Sequence, residues 1–165
     1  MHVGRHEDYH WLVSAELDLH GLLRACSGCV VGRFVAVTAF DSGPLGLLPE
    51  EAAAGWRRVG DVAFSPRVPS PDALPTAGYD EWYVFREPPA PFEVADTFVN
   101  YAGFTLRDSA ERRLRERFWA ELARLRPVAY LSEGGNLVVA TRDAADFAAI
   151  ERWARVAAAE AARPA

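Results

Sequence analysis

The last third of the chain changes its hydrophobic period from helix to strand and back to helix, which excludes an all-helical or an all-strand fold. In residues 107–127, Asp108 with Glu111 three residues later is typical of a capping box, and Pro127 ends the segment. The apolar residues of this segment form one helical stripe: Leu114, Phe118, Leu122 and Leu125. We therefore predict a helix with Phe118 and Leu122 in the core and Arg115 exposed.

A hairpin and a second helix follow. Residues 128–142 alternate around Gly134 and Gly135, a pair that favours a tight β-turn. The register that such a two-residue turn predicts pairs Leu131 with Val138 and Tyr130 with Val139. Asp143 then caps a helix. Apolar residues recur on its adjoining turns: Phe147, Ile150, Trp153, Ala154 and Ala157.

The earlier part of the chain is mostly strand-like. Alternation or β-branched and aromatic content predicts strands at residues 11–20, 29–40, 59–64, 80–85 and 97–106, and a short helix lies between the second and third of these segments. Together these elements predict an α+β fold. We expect a single antiparallel or mixed sheet of about five to seven strands, with helices on one face and two long C-terminal-half helices flanking a β-hairpin.

Length and composition indicate one globular domain over residues 1–165. Residues 1–9 are expected to be a mobile N-terminus, and the alanine-rich residues 158–165 a fraying tail. Residues 65–78 contain four prolines, so this stretch is a loop and not part of the interior of a sheet. No signal peptide or membrane-spanning run is recognisable, and the two cysteines suit a reducing compartment, so we expect a cytoplasmic protein.

Charge narrows the class of partner. The formal net charge is −5 with a pI of about 5.4, which argues against a dedicated nucleic-acid binder and suits a cationic protein partner. All 18 basic residues are Arg, and this usage is typical of a GC-rich bacterial genome. The Arg-rich helix at residues 107–127 has Glu interleaved with its Arg, which favours a solvated, ion-paired face.

An acidic-aromatic segment is the main candidate site. It consists of Tyr79, Asp80, Glu81, Trp82 and Tyr83, and it follows the proline-rich loop. Aromatic side chains provide area at interfaces and carboxylates select a basic partner, so these residues are expected to form a partner-binding surface patch. Because adjacent strand residues point to opposite faces, one cleft cannot use both Asp80 and Glu81. A turn that leads into a strand also accounts for both carboxylates.

A second cluster has the residue types of a metal or redox site. His6 and His10 with Cys26 and Cys29 provide four potential zinc ligands, although the pairs stand in the reverse of the usual finger order. The two cysteines form a C-x-x-C motif, but the sequence after Cys29 is strand-like and lacks the helix N-terminus that activates a thiolate. We expect no bound metal and no cofactor.

Catalytic motifs are absent from the sequence: it contains no G-x-S-x-G, H-E-x-x-H, P-loop or G-x-G-x-x-G pattern. We therefore expect a non-catalytic protein-binding module of the inhibitor, immunity or accessory type that uses the acidic-aromatic surface patch. One alternative is a small hydrolase-like enzyme with Asp80 or Glu81 in an unrecognised cleft. A second alternative is a module stabilised by zinc through the two histidines and two cysteines.

Overall fold

The computed structural model describes residues 1–38, 55–60, 62–74, 81–90 and 112–162. Eight strands lie within these ranges: β1 His2–His6, β2 Tyr9–Ser14, β3 Phe34–Thr38, β4 Arg57–Val59, β5 Val62–Phe64, β6 Glu81–Phe85, β7 Ala129–Glu133 and β8 Leu137–Thr141. The α-helices of the described part are α1 Leu19–Ala25, α2 Arg112–Leu125 and α3 Ala144–Ala161. Short 3-10 helices occupy Ser27–Cys29 and Pro71–Ala73.

The described strands form one antiparallel sheet, so the predicted α+β class is confirmed, with eight strands instead of five to seven. The strand order is β1-β2-β8-β7-β6-β3-β5-β4. Two segments explain the larger count. Residues 1–9, expected to be mobile, contain β1, which pairs with β2 along its whole length. The segment predicted as one strand at 59–64 instead contributes to two paired strands, β4 and β5, and β4 is followed by Gly60, where φ is 59°.

Two predicted strands are shorter than the sequence pattern indicates. The strand predicted at residues 11–20 ends at Ser14, because Asp18 caps α1 by accepting a hydrogen bond from the N–H of Gly21 at 2.6 Å. In the segment 29–40, Cys29 belongs to a 3-10 helix and the strand begins only at Phe34. The predicted strand at 97–106 and the predicted short helix near residue 50 lie outside the described residues.

The predicted hairpin forms, but its predicted register is wrong by one residue. Leu131 pairs with Val139, Ser132 with Val138 and Glu133 with Leu137, so three residues form the loop where two were expected. Gly135 lies within this loop at a φ of 89°, a conformation that glycine adopts without strain. A slip of one residue would turn every side chain of a strand to the other face of the sheet. The length of the loop therefore decides which side chains of β7 and β8 lie on each face.

Helices cover both faces of the sheet, contrary to the expectation of helices on one face. On one face, Leu22 of α1 and Ile150 of α3 pack against sheet residues such as Trp82. On the other face, Phe118 and Leu122 of α2 form a second core with sheet residues. The sheet is therefore the middle layer of three, and the central strands are buried on both faces.

Helix α2 packs through Phe118, Leu122 and Leu125 of the predicted apolar stripe. Phe118 and Leu122 are buried, which confirms their predicted core position. Arg115 is half-buried instead of exposed. The cap residues Asp108 and Glu111 lie outside the described residues, so the predicted capping box stays a prediction. No helix in the described ranges is long and apolar enough to cross a membrane.

Helix α3 begins at a cap that also holds an ion-pair network. Asp143 accepts hydrogen bonds from the N–H groups of Ala145 at 3.0 Å and Asp146 at 3.2 Å. Its other carboxylate oxygen lies 3.1 Å from the guanidinium of Arg86 and 3.6 Å from that of Arg33. The N–H of Asp146 is the main cause that lowers the pKa of Asp143 below its ordinary value.

We expect the Asp143→Ala variant to lose about 0.5–2 kcal/mol of stability at neutral pH, because α3 loses its cap. Since the folded-state pKa is lowered, the carboxylate contributes its full stabilisation above the unfolded-state value of 3.8. The difference in unfolding free energy between the wild type and the variant should therefore become smaller as the pH falls below that value. Urea titrations of both proteins at neutral pH and at several lower pH values measure this difference. The exposed residue Glu160 on the same helix provides a control, whose replacement by Ala should change stability by under about 0.5 kcal/mol.

Candidate functional site

The predicted acidic-aromatic patch is not an exposed surface at the three of its positions that the structure describes. Glu81 is 0 % exposed, and Trp82 and Tyr83 are each 1 % exposed. The cause is the position of β6 between β3 and β7, with helices on both faces of the sheet. Tyr79 and Asp80 lie outside the described residues, so their part of the prediction stays untested.

Glu81 instead belongs to a buried polar group, the Glu81 cluster, on the α2 face of the sheet. One carboxyl oxygen accepts a hydrogen bond from the hydroxyl of Tyr130 at 2.7 Å, and the other accepts one from the hydroxyl of Tyr83 at 3.3 Å. The sheet register places a polar side chain beside Glu81 on each neighbouring strand. These last members of the cluster are Thr38 of β3 and Ser132 of β7.

The electrostatics of the cluster keep Tyr130 protonated. Burial is the largest cause that raises the pKa of Tyr130 well above its ordinary value, and the nearby carboxyl of Glu81 raises it further. Tyr130 is therefore a permanent hydrogen-bond donor to Glu81. The hydroxyl of Thr38 is buried and has no hydrogen-bond partner among the described residues. This arrangement can hold a carboxyl group in a fixed position between strands, or position it for acid–base chemistry.

The four potential zinc ligands do not come together. His6 lies on the α2 face of the sheet, where its ring stacks on Trp119, whereas His10 lies on the other face and stacks on Phe147. The described residues contain no group of three or more His, Cys, Asp or Glu side chains that could hold a metal ion. This fold therefore does not bring together the two histidines and two cysteines that a zinc-stabilised module would need.

Cys26 and Cys29 are both buried free thiols. A hydrogen bond from the Cys29 thiol lowers the pKa of Cys26, whereas the same hydrogen bond and burial raise the pKa of Cys29. Cys26 is the C-cap residue of α1, so the dipole of that helix gives no help to a thiolate. The pair contributes to the core between α1 and α3.

A solvent-open groove lies between the β1–β2 hairpin and α2, and we call it the β1–α2 groove. Its volume is about 540 Å³, within the size range of ligand and peptide sites. Its main side chains are Arg5, His6, Trp11, Arg112, Arg115 and Trp119. The helix side also presents Ala120 and Ala123, whose small side chains leave the space open.

The aromatic walls of the groove are held in place by their neighbours. The indole of Trp11 lies over Gly4, its partner in the strand register, and a Cβ at Gly4 would come within 2.3 Å of that ring. Trp119 stacks on His6 with ring centroids 4.4 Å apart and also contacts Phe118 edge-on at 4.8 Å. Both tryptophans are half-buried, so each has a fixed position and an accessible surface.

Two of the arginines that line the groove, Arg112 and Arg5, make contacts that leave their guanidinium groups accessible. Arg112 pairs with Glu116 at 2.8 Å, but both side chains are more than 60 % exposed, with values of 77 % and 61 %. Arg5 donates to the backbone carbonyl of Glu7 at 2.9 Å, which leaves its positive charge uncancelled by that contact. Of the described residues that line the groove, three are Arg and two are Glu, which gives a formal sum of +1.

A second cleft, of about 420 Å³, lies between Asp8 of the β1–β2 turn and the segments that contain Arg86, Arg126 and Arg142. Two of its arginines have carboxylate partners: Arg142 contacts Asp8 at 2.6 Å and Arg86 contacts Asp143 at 3.1 Å. Arg126 also lines it. The described lining of this cleft has no exposed aromatic side chain, since Phe85 is buried, so the β1–α2 groove is the better candidate site.

The groove was not predicted from the sequence, because residues 1–9 were expected to be mobile. One signal was available: Gly4 and Trp11 stand at positions that a hairpin turning at residues 7–8 places opposite each other. Glycine beneath a cross-strand aromatic ring is a recognised pairing. The contribution of α2 to the groove had no comparable signal, because it depends on how the helix crosses the sheet.

No protein-family model matches this chain. No curated protein and no solved structure matches it either. The geometry of the described residues is therefore the basis on which a function is assigned.

Proposed function

We propose that this protein is a non-catalytic binding module and that the β1–α2 groove is the surface that receives a segment of a partner protein. The observation that carries this proposal is the pair of half-exposed tryptophans, Trp11 and Trp119, fixed on either side of an open groove. Interfaces concentrate their binding energy in a few rigid aromatic and Arg side chains, and this groove contains both types.

Rigidity of the groove supports the proposal. Gly4 lets the Trp11 ring lie flat on β1, and the hydroxyl of Tyr9 donates to the carbonyls of Leu122 at 3.3 Å and Pro127 at 3.1 Å, which ties the hairpin to the end of α2. A groove whose two walls are joined in this way loses little conformational entropy when it is occupied. The proposed surface replaces the sequence-predicted patch, whose residues Glu81, Trp82 and Tyr83 are buried.

Photo-crosslinking tests this proposal. A benzophenone amino acid replaces Ala123, which is exposed and lines the groove, and in a control protein it replaces Val156, which is 55 % exposed on α3. In a lysate of the cells that encode the protein, we expect a discrete adduct from position 123 only. An excess of unlabelled wild-type protein should abolish the adduct, whereas an excess of the Trp119→Ala variant should not. Equal labelling from both positions, or no adduct at position 123, would contradict the proposal.

A second candidate function is a small hydrolase-like enzyme in which Glu81 acts as the acid–base group. The observation that favours it is a fully buried carboxyl group with two tyrosine hydroxyls as donors, because perturbed polar clusters of this kind are common in active sites. Assays with p-nitrophenyl esters and phosphates would detect such an activity. The wild type should then turn over a substrate that a folded Glu81→Gln variant does not, and equal rates for the two proteins would contradict this candidate.

A further inference from the structure

We infer that the β1–α2 groove recognises an acidic peptide segment that carries an aromatic residue. This inference rests on the proposed function, since it names the chemistry of the partner that the same groove receives. The net charge of −5 for the whole chain suggests a cationic partner, whereas the charges of the described residues that line the groove sum to +1 and suit an anionic one. The local charge decides the chemistry of contact, whereas distant charges are screened within about 10 Å at moderate salt.

The positive side chains are placed to accept carboxylates at small cost. Among the described residues, the ion-pair partner of Arg112 is Glu116, across an exposed i,i+4 contact, and exposed pairs of this type contribute little to stability. A carboxylate of the partner can therefore take the place of Glu116. Arg5 makes its observed hydrogen bond to a backbone carbonyl, so its guanidinium is not neutralised by that bond. Guanidinium groups bind carboxylates in a planar, two-point geometry, which gives specificity over other groups.

The aromatic part of the inference follows from the shape of the groove. Trp11 and Trp119 provide flat walls, and Ala120 and Ala123 leave room beside them on α2. An aromatic ring of the partner fits such a slot by stacked or edge-on contact with the indoles. A purely acidic segment would leave these apolar walls exposed to water, so an aromatic residue among the carboxylates is the better match.

A short acidic segment fits the groove better than a nucleic acid. Nucleic acids carry a dense run of phosphates, and their binders present extended basic surfaces with many Lys or Arg contacts. The described lining of the groove contains three Arg and two Glu, a formal sum of +1, inside a protein of net charge −5. That local excess suits one or two carboxylates and would not offset the repulsion of a longer polyanion.

Four synthetic probes test the inference, with binding followed by tryptophan fluorescence at low salt. The first peptide has one Tyr flanked by two Glu on each side, the second has Lys in place of Glu, the third has Ala in place of Tyr, and the fourth probe is an oligothymidine. We expect the first peptide to bind at least about tenfold more tightly than the others, and its affinity to fall as salt is added. Tighter binding of the Lys peptide or of the oligonucleotide, or no binding of the first peptide, would overturn the inference.

A matched pair of variants locates the binding. Arg112→Glu should weaken the binding of the first peptide by about tenfold, because it reverses a charge in the groove. Arg155→Glu reverses the charge of an exposed Arg that also has an i,i+4 partner, Glu151 on α3, and should leave the affinity unchanged. Equal effects of the two variants would place the peptide elsewhere. If the probes fail while the crosslink at position 123 persists, the acidic chemistry is wrong and the binding module stands; loss of the crosslink itself would remove the proposed function.

Discussion

The Leu122→Ala variant is expected to lose about 2–5 kcal/mol of unfolding free energy, the largest effect among these predictions. Leu122 is 0 % exposed and packs in the core between α2 and the sheet, where Phe118 is its neighbour on the helix stripe. Truncation removes buried methyl groups and leaves a cavity that the three-layer packing can only partly close. Urea titration followed by far-UV circular dichroism measures the loss.

Arg117 provides the control on the same helix, because its side chain is exposed and lies outside the buried stripe. Arg117→Ala should change the free energy of unfolding by under about 0.5 kcal/mol. If the two variants lost equal stability, α2 would not pack on the sheet through the face that contains Leu122.

Tyr130→Phe is expected to cost about 1–3 kcal/mol, because it removes the hydroxyl that donates to the buried carboxyl of Glu81 at 2.7 Å. The ring remains, so its edge-on contact with Phe118 at 5.1 Å and the volume of the core are kept. The loss therefore isolates the hydrogen bond from packing. Thermal and urea unfolding of the variant against the wild type measure it.

Tyr83→Phe is the matched comparison, since its hydroxyl donates to the other oxygen of Glu81 at the longer distance of 3.3 Å. It should cost less than Tyr130→Phe, because a longer hydrogen bond is weaker. A neutral effect of Tyr130→Phe would mean that the Glu81 cluster does not depend on this donor, and it would also weaken the candidate enzyme function that the cluster supports.

Of the predicted site, the sequence identified Glu81, Trp82 and Tyr83 as unusual but placed them wrongly. The aromatic run 82–85 predicted a strand correctly, and residues 81–85 form β6. Their burial follows from the central place of β6 in the sheet order and from helices on both faces. Alternation along one strand identifies the residues that share a face, but it does not tell whether the second face meets water or another helix.

The sequence by itself determined the local elements whose signals are short-range: the stripe of α2, the cap of α3 at Asp143 and the strands on either side of Gly135. Each depends on residues a few positions apart, where period and capping chemistry act directly. Tertiary structure alone decided the three layers, the burial of Glu81 and the β1–α2 groove, which joins residues 5–11 to residues 112–123. These features arise from contacts between segments distant in sequence, and such contacts are set by how the apolar faces pack together and not by the pattern within any one segment.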